Sequence, residues 1–269
     1  MTANDSAETG AQGYRAVHAA FSVGSSAMPV NKEQWSRPKS VPFPKIWRKC
    51  SGLKRMENGK VPEFTIQDIP EDMHEDIVDF MRTHFCRDEV TCMSLGILQD
   101  PVSVLELQDV WRDALKQNMA LVALIESEED GNQPRIAGCN ITCVTTKDDK
   151  MTFEKFKGVA MKRMAIDGIG YICNYVNIFE KYGVTEFLSA FGLYVHPDFR
   201  GQGLGTEILK TRTILGKALG LEVTMTFFST HQGQRAAKKA GMELLAELPY
   251  DIFKTEDGKE VYPNMDPKT

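Results

Sequence analysis

The hydrophobic positions of this chain change period several times, and each change marks an element. From about Pro70 to Phe85, Met73, Ile77, Phe80, Met81 and His84 fall at helical spacing, with Glu71 and Asp72 suited to a first turn. A second helix is predicted from Ser103, whose spacing to Glu106 makes a capping box, with Leu107, Val110, Trp111, Ala114 and Leu115 on one face. Met119 to Glu126 and Arg135 to Thr145 read as strands of a hairpin turning over Glu128 to Pro134. Residues 150–183 are mixed and read as mostly helical, with Gly168 and Gly170 as weak points.

The later elements follow the same logic. Phe187 to Val195 is a strand that must end at His196-Pro197, because proline cannot donate to a ladder. Leu204, Ile208, Leu215 and Leu219 mark a helix stopped by Gly220. Glu222 to Phe228 reads as a strand, Gln234 to Ala240 as a short helix, and Glu243 to Phe253 as a last strand broken at Pro249. Upstream, Ile46-Trp47-Arg48 and Glu63 to Ile66 pair as strands across a turn at Asn58-Gly59. Residues 1–33 show no sustained period and read as a disordered tail before a single domain over 34–269 that starts with this strand extension. The order predicts an α+β domain: a mixed, mostly antiparallel sheet with one β-helix-β crossover and helices on both faces.

Composition adds exclusions. Of 269 residues, 42% are hydrophobic and 26% charged, ordinary globular values. A net charge of −5 builds no basic field for nucleic acid. Cysteines at 50, 86, 92, 139, 143 and 173 show neither Cys-x-x-Cys spacing nor a His/Cys cluster, so no metal site is expected. Cys139 and Cys143 read as small buried hydrophobes. The first thirty residues lack a basic start followed by an apolar core, and no apolar run approaches a membrane span. A cytoplasmic protein with no membrane or nucleic-acid partner is the expectation.

The candidate chemistry lies between strand 187–195 and helix 204–219, at Arg200-Gly201-Gln202-Gly203-Leu204-Gly205. A pyrophosphate needs several backbone N–H groups converging at a helix N-terminus, and glycines let the backbone approach. Arg200 adds a fixed positive charge. A P-loop would need Lys-Ser/Thr after the last glycine, whereas Thr206-Glu207 follow. A dinucleotide fingerprint needs Gly-x-Gly-x-x-Gly, and Glu222 begins the next strand rather than ending it. Both rivals are weakened.

The run from Leu193 through Val195-His196-Pro197 to Gly205 closely resembles the signature of the GCN5-related N-acetyltransferases, and the element order matches from about Phe64 to Phe253. That resemblance implies a sheet splayed open between strands 187–195 and 222–228 to hold acetyl-CoA, with no metal. Gln202, Gly203, Leu204 and Gly205 would offer N–H groups to the pyrophosphate beside Arg200 and Gly201. Leu193, Tyr194 and Val195 would bind the pantetheine arm from the strand edge. A closer resemblance is to the insect arylalkylamine N-acetyltransferases. It rests on Phe85-Cys86-Arg87-Asp88-Glu89-Val90, Ser229-Thr230-His231 with Ala240-Gly241-Met242, and Tyr250-Asp251-Ile252-Phe253.

By that resemblance Glu89 is the base that frees the amine lone pair, and Ser229 the candidate donor to the departing thiolate. Read from the residues alone, Glu89 is a solvated helix-end carboxylate and Ser229 and Thr230 are helix-cap hydroxyls. The chain departs from the pattern at Val90-Thr91, where the insect group has Pro-Leu. It departs again at Gly233, in place of a second serine, and at Ala237, where many acetyltransferases carry tyrosine. Phe153, Phe156, Tyr171, Tyr175, Phe179 and Tyr182 make the insert aromatic, chiefly for core packing, with a slot for an arylalkylamine among them. The implied acceptor is a small primary amine. Two alternatives stand beside it: an acetyl-CoA-binding protein with little catalysis, and a protein or peptide acetyltransferase.

Overall fold

The computed structural model describes residues 15–20, 35–126, 133–149, 153–173 and 175–265. Eight strands form one sheet: β1 (Arg15–Ala20), β2 (Ile46–Ser51), β3 (Glu63–Asp68), β4 (Leu121–Ile125), β5 (Arg135–Thr146), β6 (Glu186–Val195), β7 (Val223–Thr224) and β8 (Glu243–Glu247). Their order is β2-β3-β4-β5-β6-β7-β1-β8. The pairs from β2 to β6 are antiparallel; β6–β7, β7–β1 and β1–β8 are parallel. The mixed α+β sheet is therefore as predicted.

The predicted first helix continues past Phe85. It runs as α1 (His74–Phe80), a π turn over Met81–Phe85, and α2 (Cys86–Asp88), followed directly by α3 (Val90–Leu95). α4 (Pro101–Leu115) starts two residues before Ser103. Asp100, not Ser103, is its cap: Asp100 accepts from the Ser103 N–H and hydroxyl, and proline occupies the first turn. Glu106 leaves the expected capping box and instead accepts the N–H groups of Lys157 and Gly158, tying α4 to the insert. The insert is helical, as α5 (Val159–Arg163), a π segment over Met164–Gly170, α6 (Tyr171–Cys173) and α7 (Ile178–Tyr182). α8 (Leu204–Ala218) and α9 (His231–Lys239) complete the set.

Strand alternation sorts the core into two layers. Val122, Cys139, Ile141 and Tyr194 face α1, α4 and α5, packing around the fully buried Trp111. Leu121, Ala123 and Ala137 face the other way, onto Leu204, Ile208 and Leu215 of α8. Cys139 and Cys143 are buried and free, their thiols pushed up to about 12 by desolvation. The N-terminal extension is clipped on by a buried ion pair, Arg37 to Asp68 at 2.9 Å. Asp68 also accepts from Trp47 Nε1 and the Lys45 N–H.

Three expectations change. Within 1–33, expected to be disordered, residues 15–20 form β1 between β7 and β8; the remainder lies outside the described residues. The strand expected over 222–228 is regular only at 223–224, with an isolated bridge at Phe227, and the strand expected over 243–253 stops at Glu247. The first of these shortenings makes the functional cleft. β6 and β7 meet at Leu188↔Thr224 and then diverge, so 226–228 have strand-like sequence with no neighbour on one side. The vertex is held by the buried Arg212 of α8, which donates to the carbonyls of Leu188 at 2.8 Å and Met225 at 2.7 Å.

Candidate active site

The glycine-rich turn is built by the end of β6. After His196 the chain makes a short 3-10 turn over Pro197–Phe199, and Arg200 is extended. Gly201 and Gly203 then take φ values of 76° and 78°, a left-handed conformation that costs glycine nothing. α8 begins at Leu204 with no side chain capping its first N–H groups, so these remain turned toward the cleft with the positive end of a fifteen-residue helix. Glu207 in that first turn would oppose an anion, but Arg48 at 2.6 Å and Lys210 at 2.8 Å hold its charge.

Arg200 is engaged on the opposite side. Its Nη2 lies 2.6 Å from Asp88 Oδ2 and 2.8 Å from the Tyr194 hydroxyl. The Tyr194 hydroxyl donates to the same Asp88 oxygen, and Arg87 Nε donates to Oδ1 at 2.8 Å. Arg87, then Tyr194 and Arg200, hold the Asp88 carboxyl well below the usual carboxylate range, against the opposing effect of burial. Burial, reinforced by Asp88, lifts the Tyr194 phenol to about 12. Tyr194 therefore turns its ring toward Phe80 and Phe85 and ties the strand to the helix that carries Glu89.

Glu89 stands at the junction of α2 and α3 in an extended conformation. Its Oε2 accepts from Thr91 Oγ1 at 2.5 Å and from the Cys92 N–H at 2.7 Å, so Glu89 caps α3. Thr91, where the insect pattern has leucine, thus orients the carboxylate rather than merely replacing an apolar residue. Ser229 follows the divergent strand, and its carbonyl accepts the Tyr250 hydroxyl at 2.8 Å. Thr230, not Ser229, is the cap of α9, accepting from the Gly233 N–H at 3.2 Å. His231 is exposed, its ring 3.4 Å from Gln234 in its own helix turn and its carbonyl accepting from Arg235 Nε at 3.3 Å.

Glu89, Ser229, Leu193, Tyr194, Val195, Arg200, Gly201, Gly203, Leu204 and Gly205 all line one cavity of about 1080 Å³. Gln202 does not: its side chain is buried beneath the turn and accepts the Lys54 N–H at 2.8 Å. The half of the cavity beyond Glu89 is walled by Phe85, Phe153, Phe156, Met161, Phe191 and Tyr262. Tyr175, Phe179 and Tyr182 of the aromatic insert stand elsewhere.

Tyr262 had no sequence signal. It comes from beyond the last strand, and its hydroxyl seats against Gly168, where a Cβ would lie 2.1 Å from it. Burial and the nearby Glu89 charge push its phenol, like that of Tyr250, well above the ordinary value. Among the described residues no group of His, Cys, Asp and Glu is placed to hold a metal, and no helix is long and apolar enough to cross a membrane.

The Acetyltransferase (GNAT) family profile matches residues 152–242. The protein named arylalkylamine N-acetyltransferase 7 from the yellow fever mosquito Aedes aegypti is 33% identical, with a TM-score of 0.71 over 77% of this chain and 84% of that one. Arylalkylamine N-acetyltransferase 2 of Aedes aegypti (20% identity, TM-score 0.66, 76% and 93% covered) shares the fold. So does the Drosophila melanogaster polyamine N-acetyltransferase (15% identity, TM-score 0.61, 76% and 94% covered). A search of curated proteins finds no match. With the cleft, the turn and these relatives together, the chain belongs to the GNAT family and is an N-acetyltransferase of a family that uses acetyl-CoA as cosubstrate.

Proposed function

We propose that this chain transfers the acetyl group of acetyl-CoA to a small primary amine of the arylalkylamine class, by direct attack in a ternary complex. The observation that carries the reading is that one cavity is lined both by the glycine turn and by Glu89 with aromatic side chains. A cosubstrate and an amine bound in that space meet without leaving it. In this reading residues 34–269, with β1 paired into their sheet, make a single catalytic domain.

In this reading the pyrophosphate lies on the N–H groups at Gly203, Leu204 and Gly205, and the pantetheine arm runs along β6 at Leu193 and Val195. The amine arrives as its ammonium, which has no lone pair. Glu89 accepts the proton, directly or through water, and the freed nitrogen attacks the thioester carbonyl. The tetrahedral intermediate collapses with cleavage of the C–S bond; the Ser229 hydroxyl protonates the departing CoA thiolate and is itself restored by the surplus proton that the amide nitrogen gives up. Phe85, Phe153 and Phe156 supply the apolar surface for an aryl group. An aromatic pocket favours a small amine over a peptide, which needs an open groove.

The test is thiol release from acetyl-CoA with a panel of arylalkylamines, polyamines and peptides. Turnover with arylalkylamines at kcat/KM above the other classes is expected. Preferred turnover of a peptide or polyamine would overturn the acceptor assignment, and ping-pong rather than sequential kinetics would overturn the ternary complex.

A further inference from the structure

The β2–β3 connection is an addition in front of the acetyltransferase fold, and it lies across the glycine-rich turn. Gly52 N–H donates to the Pro62 carbonyl at 2.7 Å, Met56 N–H to Lys60 at 2.8 Å and Gly59 N–H to Met56 at 2.9 Å. The connection is thus a hydrogen-bonded extension of the hairpin, and Met56 anchors it by packing on the α8 side of the core. Gln202 grips its base: the buried amide oxygen accepts the Lys54 N–H, and Gly52 approaches so closely that a Cβ would lie 2.6 Å from that oxygen. Arg48 fixes the same hairpin to Glu207 in the first turn of α8.

This anchoring sets Leu53 in the cleft and Lys54 beside the glycine turn that borders it. Leu53 lines the cavity, stands 3.1 Å from where a Cβ of Gly203 would be, and is 71% exposed, a large apolar side chain left open to solvent. Lys54 Nζ lies 3.6 Å from where a Cβ of Gly201 would be. Among the described residues its ammonium has no ion-pair partner. Arg200, the cation supplied by the turn itself, is held by Asp88. The site that most needs positive charge therefore has its own arginine engaged by a carboxylate, and an unneutralised ammonium brought in from the hairpin.

We propose that the β2–β3 connection is a third wall of the cosubstrate site, in which Lys54 binds a phosphate group of CoA and Leu53 packs against the CoA body. This rests on the acetyl-CoA reading above. The ligand chemistry is a phosphate dianion or diester next to an apolar face. CoA carries two sources of it, the pyrophosphate and the 3′-phosphate, and a preformed wall fixed by Gln202 presents the ammonium with little ordering cost.

The experiment is calorimetric titration of the full chain with CoA and with 3′-dephospho-CoA at low and high ionic strength. It uses wild type, Lys54→Gln, Leu53→Ser, and Lys49→Gln on the adjoining strand β2 as an exposed charge control. Lys54→Gln is expected to weaken CoA binding roughly five- to tenfold at low salt, with the loss shrinking at high salt as screening removes the charge contribution. Leu53→Ser should weaken it several-fold (roughly) with no salt dependence, as burial of apolar area requires. Lys49→Gln should bind as wild type. An equal loss for both ligands assigns Lys54 to the pyrophosphate, and a loss confined to CoA assigns it to the 3′-phosphate. CoA affinity of Lys54→Gln and Leu53→Ser equal to wild type would overturn the third wall. Failure of wild type itself to bind CoA would instead overturn the reading on which it rests.

Discussion

The two ends of the cavity are built in opposite ways. The end proposed for the cosubstrate comes from one continuous stretch, Leu193 to Gly205, and offers backbone: strand edge, left-handed glycines and helix N–H groups. The end proposed for the acceptor is assembled from side chains that lie far apart in sequence: Phe85 and Glu89 after α1, Phe153 to Met164 of the insert, Ser229 after the divergent strand, and Tyr262. Backbone chemistry tolerates side-chain change so long as φ and ψ are kept. Side-chain chemistry does not, and each wall residue can alter acceptor choice without touching the cosubstrate. Asp88 joins the two ends, since it precedes Glu89 and holds Arg200.

This contrast predicts separable kinetic effects. The largest should come from Glu89→Gln, which keeps the acceptor contacts to Thr91 and Cys92 but cannot take a proton. A kcat loss of about a hundred- to ten-thousandfold, with the acetyl-CoA KM little changed, is expected. An unchanged rate and pH–rate profile would remove Glu89 from the mechanism. Next, Gly203→Val forces a branched side chain into φ of 78° against Leu53. The acetyl-CoA KM should rise roughly ten- to a hundredfold while the amine KM holds; movement of both together would break the division into two ends.

Gly168→Val is the mirror-image experiment. Its Cβ needs the space of the Tyr262 hydroxyl, so Tyr262 must move. A roughly tenfold rise in amine KM, with acetyl-CoA KM unaffected, is expected from overpacking of this kind. The smallest effect belongs to the link between the ends. Asp88→Asn should lower stability at neutral pH by about 1 kcal/mol, since three donors lose a charged acceptor. The sign follows from the depressed carboxyl: ionised Asp88 stabilises the fold above its ordinary pKa, and that contribution fades as pH falls below about 4. The difference in Tm between wild type and Asp88→Asn should therefore narrow on acidification; a gap that widened would mean the network destabilises.

The legible parts of the sequence were those whose physics is local. Helical spacing found α1, α4, α8 and α9, and Pro197 with the glycines located the turn to the residue, because φ, ladder hydrogen bonds and helix ends are fixed by near neighbours. The errors share one cause. Ser103 and Asp100 both carry good capping side chains, and only the docking of the insert on Glu106 and Asp100 selects between them. Residues 226–228 have strand character, but a regular strand needs a continuous partner, and the cleft removes β6 from their side, leaving one bridge at Phe227. Residues 15–20 had no period of their own and take strand form by pairing with β7 and β8.

By itself, then, the sequence determined the α+β element order and the turn at Arg200 to Gly205 that carries the family resemblance and is proposed as the cosubstrate cradle, because those features need only contiguous residues. The tertiary structure decided what converges on the cradle. It turned the Gln202 side chain beneath the turn to grip the β2–β3 connection, gave Arg200 to Asp88, set Lys54 beside Gly201, and closed the acceptor end with Tyr262 over Gly168. Each of these joins residues that no local periodicity relates, and only burial of the surrounding core fixes their distances.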